Sequence, residues 1–305
     1  ETYFKPIPYS VSKSAILNMT RYLATYWASC GVRVNTLTLG GVYNKQPQEF
    51  LDSYVPLVPI GRMAEPTLIT QHVRAILASN GDLSQNTLLV TAGGTREPID
   101  PVRTLTNRSS GLMGASIAVA ARDRGAKVTL ITTAKATSEP GITVIPVDTA
   151  AEMSSAVKSQ LPKHDTLIMA AAVADFRPTS PSNVKLKKND KNNMTITLEK
   201  TQDILSTVSN SQDGYVRPMV VVGFAAETQK LIDGAREKIA SKRIDLIAAN
   251  TVQNDQAPFG AKNVALSLID RNGKVQPLPE MPKEKAAHRL LDQVVQLIAD
   301  SASDK

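Results

Sequence analysis

Apolar positions in this chain follow two rhythms, and the change between them divides it. Between residues 14 and 29 the apolar side chains Ala15, Ile16, Met19, Leu23, Tyr26 and Trp27 return at helical spacing, and Gly31 closes the stretch. Residues 32–39 alternate as a strand does, Gly40-Gly41 breaks the alternation, and residues 47–66 are punctuated by proline. Glu65-Pro66 opens a further helix over 67–79, stopped by Asn80-Gly81. From Thr87 on, short branched apolar runs alternate with helical stretches, the pattern of a parallel sheet covered by helices. Strands are expected at 88–90, 127–132, 144–147, 166–170, 194–198, 219–222, 246–249 and 264–269. Helices are expected at 110–124, 149–160, 203–209, from about 229 to Lys242, and from Lys283 on. Thr149 and Glu152 have the spacing of a capping box. The predicted fold class is α/β, a doubly wound, mostly parallel Rossmann-like sheet, preceded by an incomplete α/β segment.

Composition narrows the functional classes. The chain has 305 residues, enough for two domains, with 42% apolar but only 4% aromatic residues. Its formal net charge is +7, yet the basic residues are dispersed and lack an aromatic platform, so small phosphorylated ligands suit the excess and no nucleic-acid partner is expected. A single cysteine, Cys30, excludes an internal disulfide framework, and His72, His164 and His288 lie too far apart for a metal motif. The apolar runs fall short of about 18 residues and no signal peptide is evident, so a cytoplasmic protein with no membrane partner is expected. A start at Glu1 without methionine is expected of a fragment or a processed chain.

Candidate chemistry gathers where expected strands end. Leu88, Leu89 and Val90 run into Thr91-Ala92-Gly93-Gly94-Thr95, and a basic loop follows with Arg96, Arg103, Asn107, Arg108, Ser109 and Ser110. Gly111 and Gly114 open the next helix, and helix N-termini beside guanidinium groups favour anions. The spacing fits an anion-binding loop and an ordinary strand–loop–helix connection equally. Two more strand ends release small residues, at 170–178 and 223–228, with Asp175 and Glu227 able to accept hydrogen bonds or hold a hydrated cation. Metal ligands are otherwise unassigned. Lys185 lies in a lysine-rich segment that composition alone favours as a solvated charged loop, and Lys238 and Lys242 share a helical face. Such a set, without a Ser–His or Cys–His pair, suits transfer between charged ligands through positioning and charge neutralisation.

These residues carry a resemblance in the order in which they occur. Thr91-Ala-Gly-Gly-Thr-Arg-Glu-Pro-Ile-Asp-Pro-Val-Arg103, Thr106-Asn-Arg-Ser-Ser-Gly111, Ala171-Ala-Val-Ala-Asp-Phe176, Lys185-Leu-Lys-Lys188 and Val222-Gly-Phe-Ala-Ala-Glu-Thr228 resemble the bacterial phosphopantothenoylcysteine synthetase family, over about residues 87–300. The resemblance implies a homodimeric ligase of coenzyme A biosynthesis. In it the carboxylate of 4′-phosphopantothenate attacks the α-phosphate of CTP, with Mg²⁺, and cysteine then displaces CMP from the acyl cytidylate. It implies nucleotide contacts at Met169, Ala170, Ala171, Asp175, Lys185, Asp203, Ile204, Phe224, Lys238 and Lys242. Lys185 would lie on a strap over the intermediate, Asn107 would fix the acyl cytidylate, and Arg103 would serve the second step. The chain departs from the family at Thr201-Gln202, where Asn-Pro precedes Asp-Ile, and at Leu112, where lysine is usual.

A second resemblance covers the first 85 residues. Tyr9-Ser-Val-Ser-Lys13, residues 32–42 and Gly61-Arg-Met-Ala-Glu-Pro66 are similar to the C-terminal part of a short-chain dehydrogenase. In that family the tyrosine is an acid/base and the lysine holds the nicotinamide ribose. A glycine-rich dinucleotide loop and a catalytic serine do not precede Tyr9 here, and Leu39 replaces a usual proline. The expected organisation is therefore a truncated dehydrogenase-like segment at 1–85 and a ligase domain at 86–305. An NAD(P)-dependent oxidoreductase using Tyr9 and Lys13 is the alternative, and an oligomerisation appendage is the non-enzymatic reading of the first segment.

Overall fold

The computed structural model describes residues 7–135, 139–187, 194–209, 216–227, 231–251 and 261–303. The chain divides into two compact units, Glu1–Thr70 and Gln71–Lys305. In the first, helix α1 (Ile7–Tyr26) contains Tyr9 and Lys13, and none of its residues is buried. Residues 32–39, expected as a strand, join no sheet; a bond from Thr36 Oγ1 to Thr20 Oγ1 (2.6 Å) links them to α1, and the nearest ladder is a single bridge from Val42 to Ala64. Alternating apolar residues form a strand only where a neighbour takes up their backbone groups, and in this unit no neighbouring strand is described. Helix α2 (Gln48–Tyr54) and the start of α3 (Pro66–Leu77) complete the unit.

The second unit is built on an eight-stranded sheet. Its strands are β1 (Thr87–Ala92), β4 (Lys127–Thr132), β5 (Ile142–Pro146), β6 (Thr166–Met169), β9 (Val220–Glu227), β10 (Leu246–Thr251), β11 (Asn263–Asp270) and β12 (Val275–Pro282). They lie in the order β12-β11-β10-β9-β6-β1-β4-β5, the six from β10 to β5 parallel and β11 pairing antiparallel with both β10 and β12. Two small hairpins sit apart, β2 (Arg96–Pro98) with β3 (Thr104–Thr106) and β7 (Phe176–Pro178) with β8 (Leu198–Lys200). The helices are α4 (Leu112–Asp123), α5 (Ala150–Gln160), α6 (Ile204–Ser209), α7 (Leu231–Lys242) and α8 (Lys283–Ser303).

Side chains alternate across β1 so that Leu88 and Val90 enter one core with α4 and α8, while Leu89 enters another with Met153 and Val157 of α5. Both faces are thus dry, which is why the strand reads as an unbroken apolar run. Each fully buried leucine or isoleucine of this kind contributes about 2 kcal/mol relative to exposure. Ala235 and Ile239 of α7 close a third cluster over β9 and β10. Helix α5 starts as its capping spacing predicts: Glu152 N donates to Thr149 Oγ1 (3.2 Å), while the Glu152 carboxylate accepts from Asp148 N (2.7 Å), one residue before the cap. The strand expected at 194–198 is instead β8, displaced toward Lys200, where its partner Phe176–Pro178 lies. Expected features at residues 188–193, at Thr228 and in the Asn- and Gln-rich stretch 252–260 lie outside the described residues.

Candidate functional site

The carboxyl ends of β1, β6 and β9 open on the same edge of the sheet, as parallel pairing of β1 with β6 and β6 with β9 requires. The glycines after β1 are explained by the chain's own packing. A Cβ on Gly94 would stand 2.7 Å from the carbonyl oxygen of Asn107, and one on Gly93, whose φ is +89°, would stand 2.2 Å from Thr133 Oγ1. Gly94 bridges to Ala172, Ala172 N donates to the Gly93 carbonyl (2.8 Å), and Ala174 N donates to Thr95 Oγ1 (2.9 Å). Thr91 Oγ1 accepts from Ala171 N (3.2 Å). The first two strand ends are therefore stitched into one wall. Asn107 reaches the same wall, its Nδ2 donating to the carbonyls of Ala172 (3.3 Å) and Val173 (3.2 Å) while the residue stays exposed.

Two cavities flank this wall. The larger, about 700 Å³, is lined by Met169, Ala171, Asp175, Asp203, Ile204, Phe224 and Lys238, all expected nucleotide contacts. The smaller, about 200 Å³, takes in Ala170, the turn Ser109-Ser110-Gly111 ahead of α4, Leu112, Asn250 and Lys283. Ala171, Ala172, Phe224 and Ala225 line both, so the two spaces adjoin across the ends of β6 and β9. Lys242 stands beside the larger one through an ion pair with Asp203 (2.8 Å), and Asp203 Oδ1 also caps α6 by accepting from Ser206 N (2.9 Å). The unusual Thr201-Gln202 pair is accommodated: Thr201 Oγ1 donates to the Ala174 carbonyl (2.5 Å), and the Gln202 side-chain oxygen accepts from Ser154 Oγ and Lys158 Nζ, both at 3.1 Å.

Two of the three arginines of the loop, Arg96 and Arg103, are engaged within the chain, while Arg108 is exposed. Arg96 pairs with Asp148 (3.0 Å) and donates to the Thr133 carbonyl, and Arg103 pairs with Asp100. Arg103 Nη2 also donates to the Leu186 carbonyl (2.9 Å), which ties the residue expected to serve the second step to the segment carrying Lys185. Lys185 itself is exposed and lines neither cavity, and Arg103 and Asn107 likewise stand outside both linings. Leu112 is exposed at the rim of the smaller cavity.

Three residues were not signalled by spacing. Asp100 is buried, and the Arg103 guanidinium beside it, helped by the amides of Val102, Leu186 and Arg103, holds its carboxyl well below the usual carboxylate range against the opposing effect of burial. An Asp before Pro101 signals a turn and nothing more. Lys283, 8% exposed on the smaller cavity, has its ammonium pKa lowered by burial, and Asn250 ends a strand that reads as plain core. Among the described residues, no group of three or more His, Cys, Asp or Glu could hold a metal ion, and no helix is long and apolar enough to cross a membrane.

Comparison with known proteins gives this arrangement its context. The family described as the DNA/pantothenate metabolism flavoprotein C-terminal domain matches residues 83–298. The Coenzyme A biosynthesis bifunctional protein CoaBC of Bacillus subtilis is 39% identical over 241 residues, covering 78% of this chain and 58% of that protein. Its Escherichia coli K12 counterpart is 40% identical over 239 residues, covering 77% and 58%. The chain thus spans less than two thirds of the length of these curated relatives. A crystal structure of the C-terminal domain of CoaBC superposes with a TM-score of 0.59 at 33% identity, covering 72% of this chain and 99% of that one. A Cab2 variant in complex with phosphopantothenate-cysteine, at 16% identity and a TM-score of 0.57, shares the fold. With the family match running from before β1 into α8, and with one-third identity across a whole solved domain, the chain belongs to the DNA/pantothenate metabolism flavoprotein C-terminal domain family.

Proposed function

We propose that the chain carries, over residues 86–305, a phosphopantothenate–cysteine ligase that uses CTP and acts as a homodimer, with the dehydrogenase-like segment ahead of the junction at 82–85 as an appendage. The observation that carries the reading is the pair of adjoining cavities on one wall, since activation of one substrate by another needs two sites whose reacting atoms meet. The larger has the size and the donors for a nucleotide, with Phe224 as an apolar contact and Lys238 and Lys242 as counter-charges. The smaller has the hydroxyls of Ser109 and Ser110, the amide of Asn250 and the Lys283 ammonium for a phosphorylated, amide-bearing chain.

The chemistry then proceeds across Ala171 and Ala172. A carboxylate oxygen of 4′-phosphopantothenate forms a bond to the α-phosphorus of CTP and pyrophosphate leaves with the electrons of the broken P–O bond. The amine of cysteine next attacks the acyl carbon, the C–O bond breaks toward CMP, and the amine proton is lost as the amide forms. Positioning by the wall and neutralisation of the spreading phosphate charge supply the rate, with no covalent enzyme intermediate. Lys185, on its strap, offsets charge at the acyl phosphate, and Asn107 holds the acyl cytidylate from the wall it is bonded to. Mg²⁺ suits this donor set as an ion carried on the triphosphate, where one or two carboxylates are sufficient; Asp175 on the larger cavity would hold it, and it would neutralise the leaving pyrophosphate.

The test is to supply CTP, 4′-phosphopantothenate, cysteine and Mg²⁺ to the folded chain. Equimolar pyrophosphate and CMP are expected, each dependent on the pantothenate substrate. Folded protein that releases neither, or that works equally with ATP, would overturn the ligase or its nucleotide preference respectively.

A further inference from the structure

The segment carrying Lys185 is held by bonds that converge on one buried side chain. The Asp100 carboxylate is fully enclosed. Its Oδ1 accepts from the amides of Val102 and Arg103, both at 2.8 Å, which shapes its own turn. Its Oδ2 accepts from Arg103 Nε (2.9 Å) and from the amide of Leu186 (3.1 Å), the residue after Lys185. Arg103 completes the loop by donating to the Leu186 carbonyl, and Ser182 N donates to the Ile99 carbonyl (3.0 Å) four residues earlier. Both backbone groups of Leu186 are thus taken by an Asp–Arg pair that is distant in sequence, at residues 100 and 103. Among the described residues of this exposed stretch, 182–187, none joins a core cluster, so these bonds do most to set where the Lys185 backbone sits.

We infer that Asp100 is a positioning residue for the ligase reaction, fixing the Lys185 strap through Leu186 and Arg103. The inference rests on the proposed ligase reading, in which Lys185 acts on the acyl phosphate. It also changes what Arg103 does: its guanidinium is the second half of the same clamp, so substitutions at Asp100 and Arg103 release one strap. Asparagine at 100 keeps the size of the side chain but removes the charge and turns an acceptor toward a donor, which weakens the charge-assisted bonds from Arg103 and Leu186 together.

The experiment compares the full native chain with Asp100→Asn and with Leu186→Pro, which deletes the amide donor and fixes the local backbone while leaving the Asp100–Arg103 pair in place. Hydrogen–deuterium exchange across residues 182–187 is expected to rise about tenfold or more in both, the scale of losing charge-assisted hydrogen bonds, with β1 and β6 unchanged. In ligase kinetics the rate of pyrophosphate release is expected to fall by about tenfold while the KM for CTP moves little. Combining Asp100→Asn with Lys185→Ala should cost no more than Lys185→Ala alone, because Asp100 acts through Lys185. Unchanged exchange at 182–187, exchange rising equally in β1 and β6, or additive losses in the double variant would each overturn the inference. A native chain that releases no pyrophosphate would sink the ligase reading, and the exchange comparison would still decide whether Asp100 anchors the strap.

Discussion

At Asn107 the proposed chemical task falls on a side chain that already has a structural one. Its amide nitrogen clamps the carbonyls of Ala172 and Val173, the residues between the two cavities, while the residue remains exposed to an incoming ligand. Asn107→Ala is expected to release pyrophosphate, since the larger cavity proposed for the nucleotide does not include it, but to pass the acyl group to cysteine about 100-fold more slowly, the usual consequence of deleting one positioned donor. Parallel assays of pyrophosphate and CMP release separate the steps; equal slowing of both would contradict the assignment. Asp100 sets a pH expectation. Because its folded-state pKa is depressed, chiefly by Arg103, its stabilising contribution is present above the unfolded carboxylate value near 4 and is lost only as pH falls through the lower folded value. Exchange protection at residues 182–187, corrected for the intrinsic rate, should therefore be the same at about pH 8 and about pH 5, and release of the segment within that interval would contradict the clamp.

Elements divide by whether their cause is local. Strands β1, β4 and β6 are legible because both faces are buried and a branched apolar run has no other use, and α5 because Thr149 and Glu152 write its start. Strand β12 is hidden by Pro277, Pro279 and Pro282, which argue against a ladder until the strand is seen at the sheet edge, where a missing N–H is tolerated. Residues 32–39 err the other way, since alternation is present and a partner strand is not described. The site is legible in its residue types and not in its contacts. Gly93 and Gly94 read as space for a ligand but serve Thr133 and Asn107, and Arg103, which reads as an anion donor, also holds Leu186. Thr133 and Leu186 are distant in sequence from the residues they meet, so no window of spacing contains those pairs. Two measurements follow at this scale. Gly94→Ala forces a Cβ to 2.7 Å from a backbone oxygen and is expected to destabilise by about 1–3 kcal/mol in denaturant unfolding. A chain starting at residue 86 discards Leu83, which is fully buried in the α4–α8 core, and Asp82, which pairs with Arg124; it should be less stable than one starting at 71 by about 2–5 kcal/mol. Equal unfolding midpoints would show that the junction is dispensable.

Across the whole molecule, chemistry and packing concentrate in Gln71–Lys305, where both cavities lie. In the other unit, α1 presents Tyr9 and Lys13 one helical turn apart, the ammonium 5.4 Å from the ring centroid, on a helix with no buried residue. The account places the reaction in the second unit, where the two adjoining cavities and the strand-end wall lie. What distinguishes that reaction from an amide synthesis through an acyl phosphate is which phosphorus of the nucleotide the carboxylate attacks. The most direct test labels the carboxylate of 4′-phosphopantothenate with heavy oxygen and follows the label by mass spectrometry after complete turnover with CTP and cysteine. The account predicts one labelled oxygen in CMP and none in pyrophosphate, because the attacking oxygen stays on the α-phosphorus when the amine breaks the C–O bond. Label in pyrophosphate or inorganic phosphate, or its absence from every phosphorus product, would contradict it.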